Sequence, residues 1–145
     1  PTKFRHIKDG EYILLSTPQD SIKCKGWGTK KPIPGRYVLT ADEVAKIKTA
    51  TAAFNNIIYL MARRENLAMV DMNAYLKTLQ TGIIFNGASF NASFVSGGAF
   101  SLDGVHLTQR GYALVANQII MAINNKYKAT IPMVDVNKYK GIQFP

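Results

Sequence analysis

Only two stretches of this 145-residue chain read as β-strands, and a long helical stretch separates them. The first, residues 11–16 (EYILLS), is short and mostly apolar, and Thr17-Pro18 stops it. The second, residues 67–72 (LAMVDM), is almost continuously apolar, which suits a parallel strand covered on both faces. The order strand, helix, strand, helix, helix is that of half an α/β parallel-sheet domain. Two strands make a poor sheet, and buried strands need neighbours on both sides. The pattern therefore predicts a sheet whose earlier strands are missing from this sequence.

The helices carry clear end signals. Thr40-Ala-Asp-Glu43 is a capping box, in which the first side chain and the fourth satisfy each other's backbone N–H groups. Val44, Ile47, Phe54, Ile57, Ile58 and Met61 follow at helical spacing and predict a helix over residues 41–65. A short helix over residues 73–80 should end at Gly82. Thr108 caps a last helix over 109–126, with a buried stripe expected at Tyr112, Val115, Ala116, Ile119, Ile120 and Ile123. The tail after Ile131 has little pattern.

Two long loops lie between these elements. Residues 18–39 are rich in Pro, Gly and Lys, and a loop of that length is functional or poorly ordered. Trp27, between two glycines, is placed to anchor it by packing. Residues 83–102 are rich in Gly, Ser and Asn, with Phe85, Phe90, Phe94 and Phe100 recurring through them. Packing is the first expectation for these rings, and Phe94 and Phe100 are also candidates to line an apolar substrate pocket.

Composition narrows the function classes. The chain is 47% hydrophobic and 19% charged, long enough for one domain with a real core. No apolar run is long enough to span a membrane. The first residues lack the shape of a signal peptide, although the sequence starts at proline and an export signal upstream would not be visible. The single cysteine, Cys24, allows neither an intrachain disulfide nor a Cys-rich zinc site. A net charge of +9 invites a nucleic-acid or anionic-surface reading. The lysines, however, are spread along the chain with no basic helix face and no RNA-binding aromatic signature. The expectation is a solvated surface and no nucleic-acid partner.

Asp103 and His106 stand three residues apart just before the Thr108 cap. A histidine titrates near neutral pH and serves as a general base, and a carboxylate on one ring nitrogen fixes its tautomer. Gly104 relaxes the bend between them, and the following helix gives the loop a rigid support. By spacing alone, the first expectation is an Asp in the turn before a helix beside a surface His. A metal site would need further ligands, and the only other histidine is the distant His6, so no metal and no cofactor are expected.

The wider string FSLDGVHLTQRGYALVAN resembles the closing segment of SGNH (GDSL-type) serine hydrolases, in which an Asp-x-x-His element precedes a final helix. The likeness is strongest over residues 97–131, and YILLSTP and LAMVDMNAYL look like later strands of the same fold. The resemblance implies that residues 1–145 are the C-terminal part of a single three-layer α/β/α parallel-sheet domain, flavodoxin-like in layout. It implies an esterase or lipase in which His106 is the base and Asp103 the acid member of a Ser-His-Asp triad. The family's Gly-Asp-Ser nucleophile block is absent, and its oxyanion-hole glycine and Gly-x-Asn-Asp asparagine have no clear counterparts. Ser101 lies two residues before Asp103 but lacks the strained strand-end turn that presents a nucleophile. The serine is therefore expected upstream, on the N-terminal half of the same protein. The substrate implied is an ester or acylated small molecule or lipid, and the compartment periplasmic or secreted, as for exported bacterial members. The alternatives are a non-catalytic module binding through loops 18–39 and 83–102, and a basic surface for anions.

Overall fold

The computed structural model describes residues 4–93 and 96–142. The chain divides into two compact units, Pro1–Ile58 and Tyr59–Pro145. The protein is mixed α/β, with four α-helices and two small sheets among the described residues.

In the first unit, β1 (Tyr12–Ile13) pairs antiparallel with β2 (Val38–Leu39) in the register Tyr12↔Leu39. The expected strand at 11–16 is thus cut to two residues, and it is antiparallel. Arg5 closes the approach to it. Its guanidinium donates to both Glu11 carboxylate oxygens at 2.6 Å, and the Lys8 N–H adds a third bond at 2.8 Å. Residues 18–39 are not a structureless loop. They hold α1 (Gln19–Lys23), a 3-10 turn (Gly35–Tyr37) and β2. Trp27 anchors them, its ring 5.6 Å from that of Tyr37.

The helix α2 (Ala41–Arg64) starts where the capping box places it. Glu43 accepts from the Thr40 N–H and hydroxyl, both at 2.8 Å, while the Thr40 hydroxyl accepts from the Glu43 N–H. The apolar stripe behaves otherwise. Val44 is buried, but Ile47, Phe54, Ile57, Ile58 and Met61 are exposed, Phe54 at 64%. Periodicity decides that these residues share a face, not that anything covers it.

In the second unit, residues 67–71 form no strand, and α3 begins at Met72 (Met72–Thr81). Asp71 caps this helix by accepting from the Ala74 N–H at 2.8 Å. Gly82 ends it with φ of +85°, a left-handed conformation that side chains resist. The first part of the segment expected as a loop over 83–102 is a hairpin: β3 (Ile83–Phe85) and β4 (Ala88–Phe90) pair antiparallel. Asn86 and Gly87 turn it with φ of +49° and +77°, the pattern of a type I′ turn, whose twist matches that of the flanking strands. No parallel sheet forms among the described residues: the apolar residues 67–70 have no ladder partner there, and Asp71 after them is taken up by the cap of α3.

The last helix, α4 (Gln109–Tyr127), ends within a residue of the sequence expectation, but its buried face is different. Gly111, Ala113, Leu114 and Asn117 are buried, whereas Tyr112 and Ile119 are exposed. The core of the unit is Leu79, Phe90, Ala99, Ala113, Leu114 and Val136. Small residues on α4 let it approach the 97–100 backbone closely, and the stripe of larger residues is displaced to the side. The patternless tail is held by amides of α4. Asn117 bonds both the N–H and the carbonyl of Val134, at 2.7 and 2.8 Å. Asn124 does the same for Ile131, at 2.9 and 2.8 Å.

Candidate active site

Residues 97–111 hold the Asp103–His106 pair. Thr108 fixes the end of this segment to its start. Its N–H donates to the Ala99 carbonyl at 2.9 Å and its hydroxyl to the Gly98 carbonyl at 2.7 Å. The same hydroxyl caps α4 by accepting from the Gly111 N–H at 3.0 Å. One turn further in, Phe100 bridges Leu107, and the Ser101 N–H reaches the His106 carbonyl at 2.8 Å. Gly111 permits the whole arrangement. A β-carbon there would lie 2.2 Å from the Ala99 carbonyl oxygen.

Within this closed loop the carboxylate of Asp103 is held by both oxygens. Oδ1 accepts from the Ser101 hydroxyl at 2.6 Å and from the Val105 and His106 N–H groups at 2.9 Å each. Oδ2 lies 2.5 Å from His106 Nδ1. Gly104, with φ of +70°, makes the bend that folds these donors around one carboxylate. The Ser101 hydroxyl first, and then His106 and the two amides, hold the Asp103 carboxyl well below the usual carboxylate range. It is therefore ionised at neutral pH and can only accept hydrogen bonds. The Nδ1 contact then requires Nδ1–H, which leaves Nε2 of the neutral ring as the acceptor. Nε2 has no hydrogen-bond partner among the described residues, and the His106 side chain is 72% exposed against 50% for Asp103. The arrangement can take up a proton at Nε2 and steady the resulting imidazolium.

The two residues singled out by spacing are thus in direct contact. Phe100 is half-buried against the core of the unit and is not brought beside His106 by any recorded bond. Phe94 lies outside the described residues. Ser101 takes a part the sequence reading did not give it. Its hydroxyl is spent on Asp103, which fits a buttress and not a nucleophile. The Ser-x-Asp spacing, at which a hydroxyl bonds a side chain two residues on, was the available signal. No group of three or more His, Cys, Asp or Glu side chains that could hold a metal occurs among the described residues. None of the described helices is long and apolar enough to cross a membrane. No family model, curated protein or solved structure matches this chain.

Proposed function

We propose that residues 1–145 supply the base and the acid of an ester-hydrolysing Ser-His-Asp triad, with the serine on polypeptide outside them. The observation that carries this reading is the Asp103–His106 contact at 2.5 Å, with Nδ1 bonded and Nε2 free. In the reaction, the serine hydroxyl attacks the ester carbonyl while His106 Nε2 takes its proton. The same proton then passes to the departing alcohol, leaving an acyl-serine. Water attacks that intermediate with His106 again as base, releasing the acid and restoring the serine. Asp103 keeps the ring in the productive tautomer throughout and stays ionised.

The finer fold belongs to the same proposal: the C-terminal part of a three-layer α/β/α parallel-sheet domain. Two features support it. Residues 67–70 are apolar and have no ladder partner among the described residues, and α2 carries exposed isoleucines and a phenylalanine along one face. Both are what a strand and a helix display when the neighbouring strands are contributed from elsewhere. The substrate class is an ester or acylated small molecule or lipid.

The test is hydrolysis of a p-nitrophenyl ester by the full gene product, beside the same product carrying His106→Ala. The expected result is turnover in the wild type and its near-complete loss in the variant, with an unchanged far-UV circular dichroism spectrum. Asp103→Asn should also fall steeply, by about 10⁴-fold where the tautomer is lost. Wild-type turnover in His106→Ala, or no hydrolysis by either protein, refutes the triad.

A further inference from the structure

Residues 18–37, in the first unit, gather charge that the triad chemistry leaves unused. After α1 the chain reverses in a tight turn. The Gly26 carbonyl accepts from the N–H groups of Thr29, Lys30 and Lys31, at 3.3, 2.9 and 2.9 Å. The Gly28 N–H returns to the Lys31 carbonyl at 2.8 Å, and the Trp27 N–H ties the turn to the Ser21 carbonyl at 3.0 Å. Gly26 and Gly28 have φ of +75° and +84°, so this reversal depends on residues without side chains.

The turn brings Lys30 and Lys31 back beside Lys23 and Lys25. All four line one open cavity of about 610 Å³, and no carboxylate lines it. The sequence from Ser21 to Ala41 has five basic residues, counting Arg36, and no Asp or Glu. Among the described residues the ion pairs are Arg5–Glu11, Arg64–Glu65 and His106–Asp103, and none involves a lysine. Four lysines within residues 23–31, close in the sequence already, are thus turned by the reversal around one cationic space.

Like charges held around one concavity focus their field into it and raise the local concentration of anions. Ammonium groups are compact charges on flexible stems, without the planar fork of arginine. Such a site selects by the number of negative charges and not by one planar geometry. We propose that this cavity binds a multivalent oxyanion, a ligand bearing two or more phosphate or sulfate groups.

The experiment titrates the full gene product at low salt with inorganic pyrophosphate and, in a parallel arm, with a polysulfated disaccharide. Saturable binding, read by isothermal titration calorimetry, is expected in at least one arm, and the arm that responds at lower concentration identifies phosphate or sulfate as the recognised group. Lys30→Gln with Lys31→Gln should weaken that binding by about tenfold or more. The charge-matched pair Lys77→Gln with Lys138→Gln should leave it unchanged. Added salt should weaken it steadily, as screening of exposed charges requires. The proposal is overturned by the absence of a saturable response in both arms. It is equally overturned if the Lys30/Lys31 variant titrates like the wild type, or if the Lys77/Lys138 variant loses as much, since net charge alone would then explain the binding.

Discussion

Replacing Gly111 by alanine sets two terms of opposite sign against each other. Gly111 is inside α4 at a helical φ, and by intrinsic propensity alone alanine should stabilise it by about 1 kcal/mol. Against this stands the close approach of the helix to the loop that carries Asp103 and His106. The new β-carbon would meet the Ala99 oxygen at 2.2 Å, Leu107 Cβ at 3.0 Å and the Ala99 carbonyl carbon at 3.1 Å. An ordinary carbon–oxygen approach is about 3.3 Å, so the backbone would have to retreat by about 1 Å. Overpacking of that kind costs about 1–3 kcal/mol. The same retreat strains the Thr108 N–H bond to Ala99 and the Thr108 hydroxyl bond to Gly98, worth about 1 kcal/mol each. The opposing terms leave a net destabilisation of about 2–4 kcal/mol. With a urea slope of about 2 kcal/mol per M, the unfolding midpoint should fall by about 1–2 M at unchanged slope. Amide exchange should quicken first at Ser101 and Thr108, whose bonds close the loop. An unchanged or raised midpoint would refute the reasoning, because helix propensity would then outweigh the contact with Ala99.

Two further outcomes are expected. Asp103 keeps its charge into acid: its folded pKa is depressed, so its contribution to the loop is full above the ordinary value of about 3.9 and is lost only as pH falls through the folded pKa. Its carboxyl titration, followed by NMR, should have a midpoint below that of a free aspartate, and Ser101→Ala should move the midpoint upward. A midpoint at the ordinary value in the wild type would contradict the hydrogen-bonded carboxylate. Asn117→Ala removes a fully buried amide and leaves both polar groups of Val134 unpaired, at a cost of about 2–4 kcal/mol. A loss below about 0.5 kcal/mol in urea unfolding would show that the tail after Ile131 is not held by this pair.

The candidate site was legible because its contacts span few residues. Asp103 reaches Ser101, Val105 and His106, none more than three positions away, so spacing alone nearly dictates the turn. The part of Ser101 in that turn was equally local, but a search for a nucleophile looks past a serine already engaged by a neighbouring carboxylate. The hairpin at 83–90 was also written in the chain, in Asn86-Gly87 between apolar runs, and a count of loop-type residues conceals it.

The sequence by itself determined where α2 and α4 begin, what caps α3, and how the Asp103–His106 turn closes. Thr40 with Glu43, Asp71 with Ala74, Thr108 with Gly111 and the left-handed Gly82 act within one helical turn and depend on residue identity alone. Only the tertiary structure decided which face of α4 is buried and what clasps the tail. Burial is a property of two surfaces. Helical periodicity marked Tyr112 and Ile119 as inward-facing, yet the side on which α4 meets a neighbour is set by how closely Gly111 lets it come to Ala99.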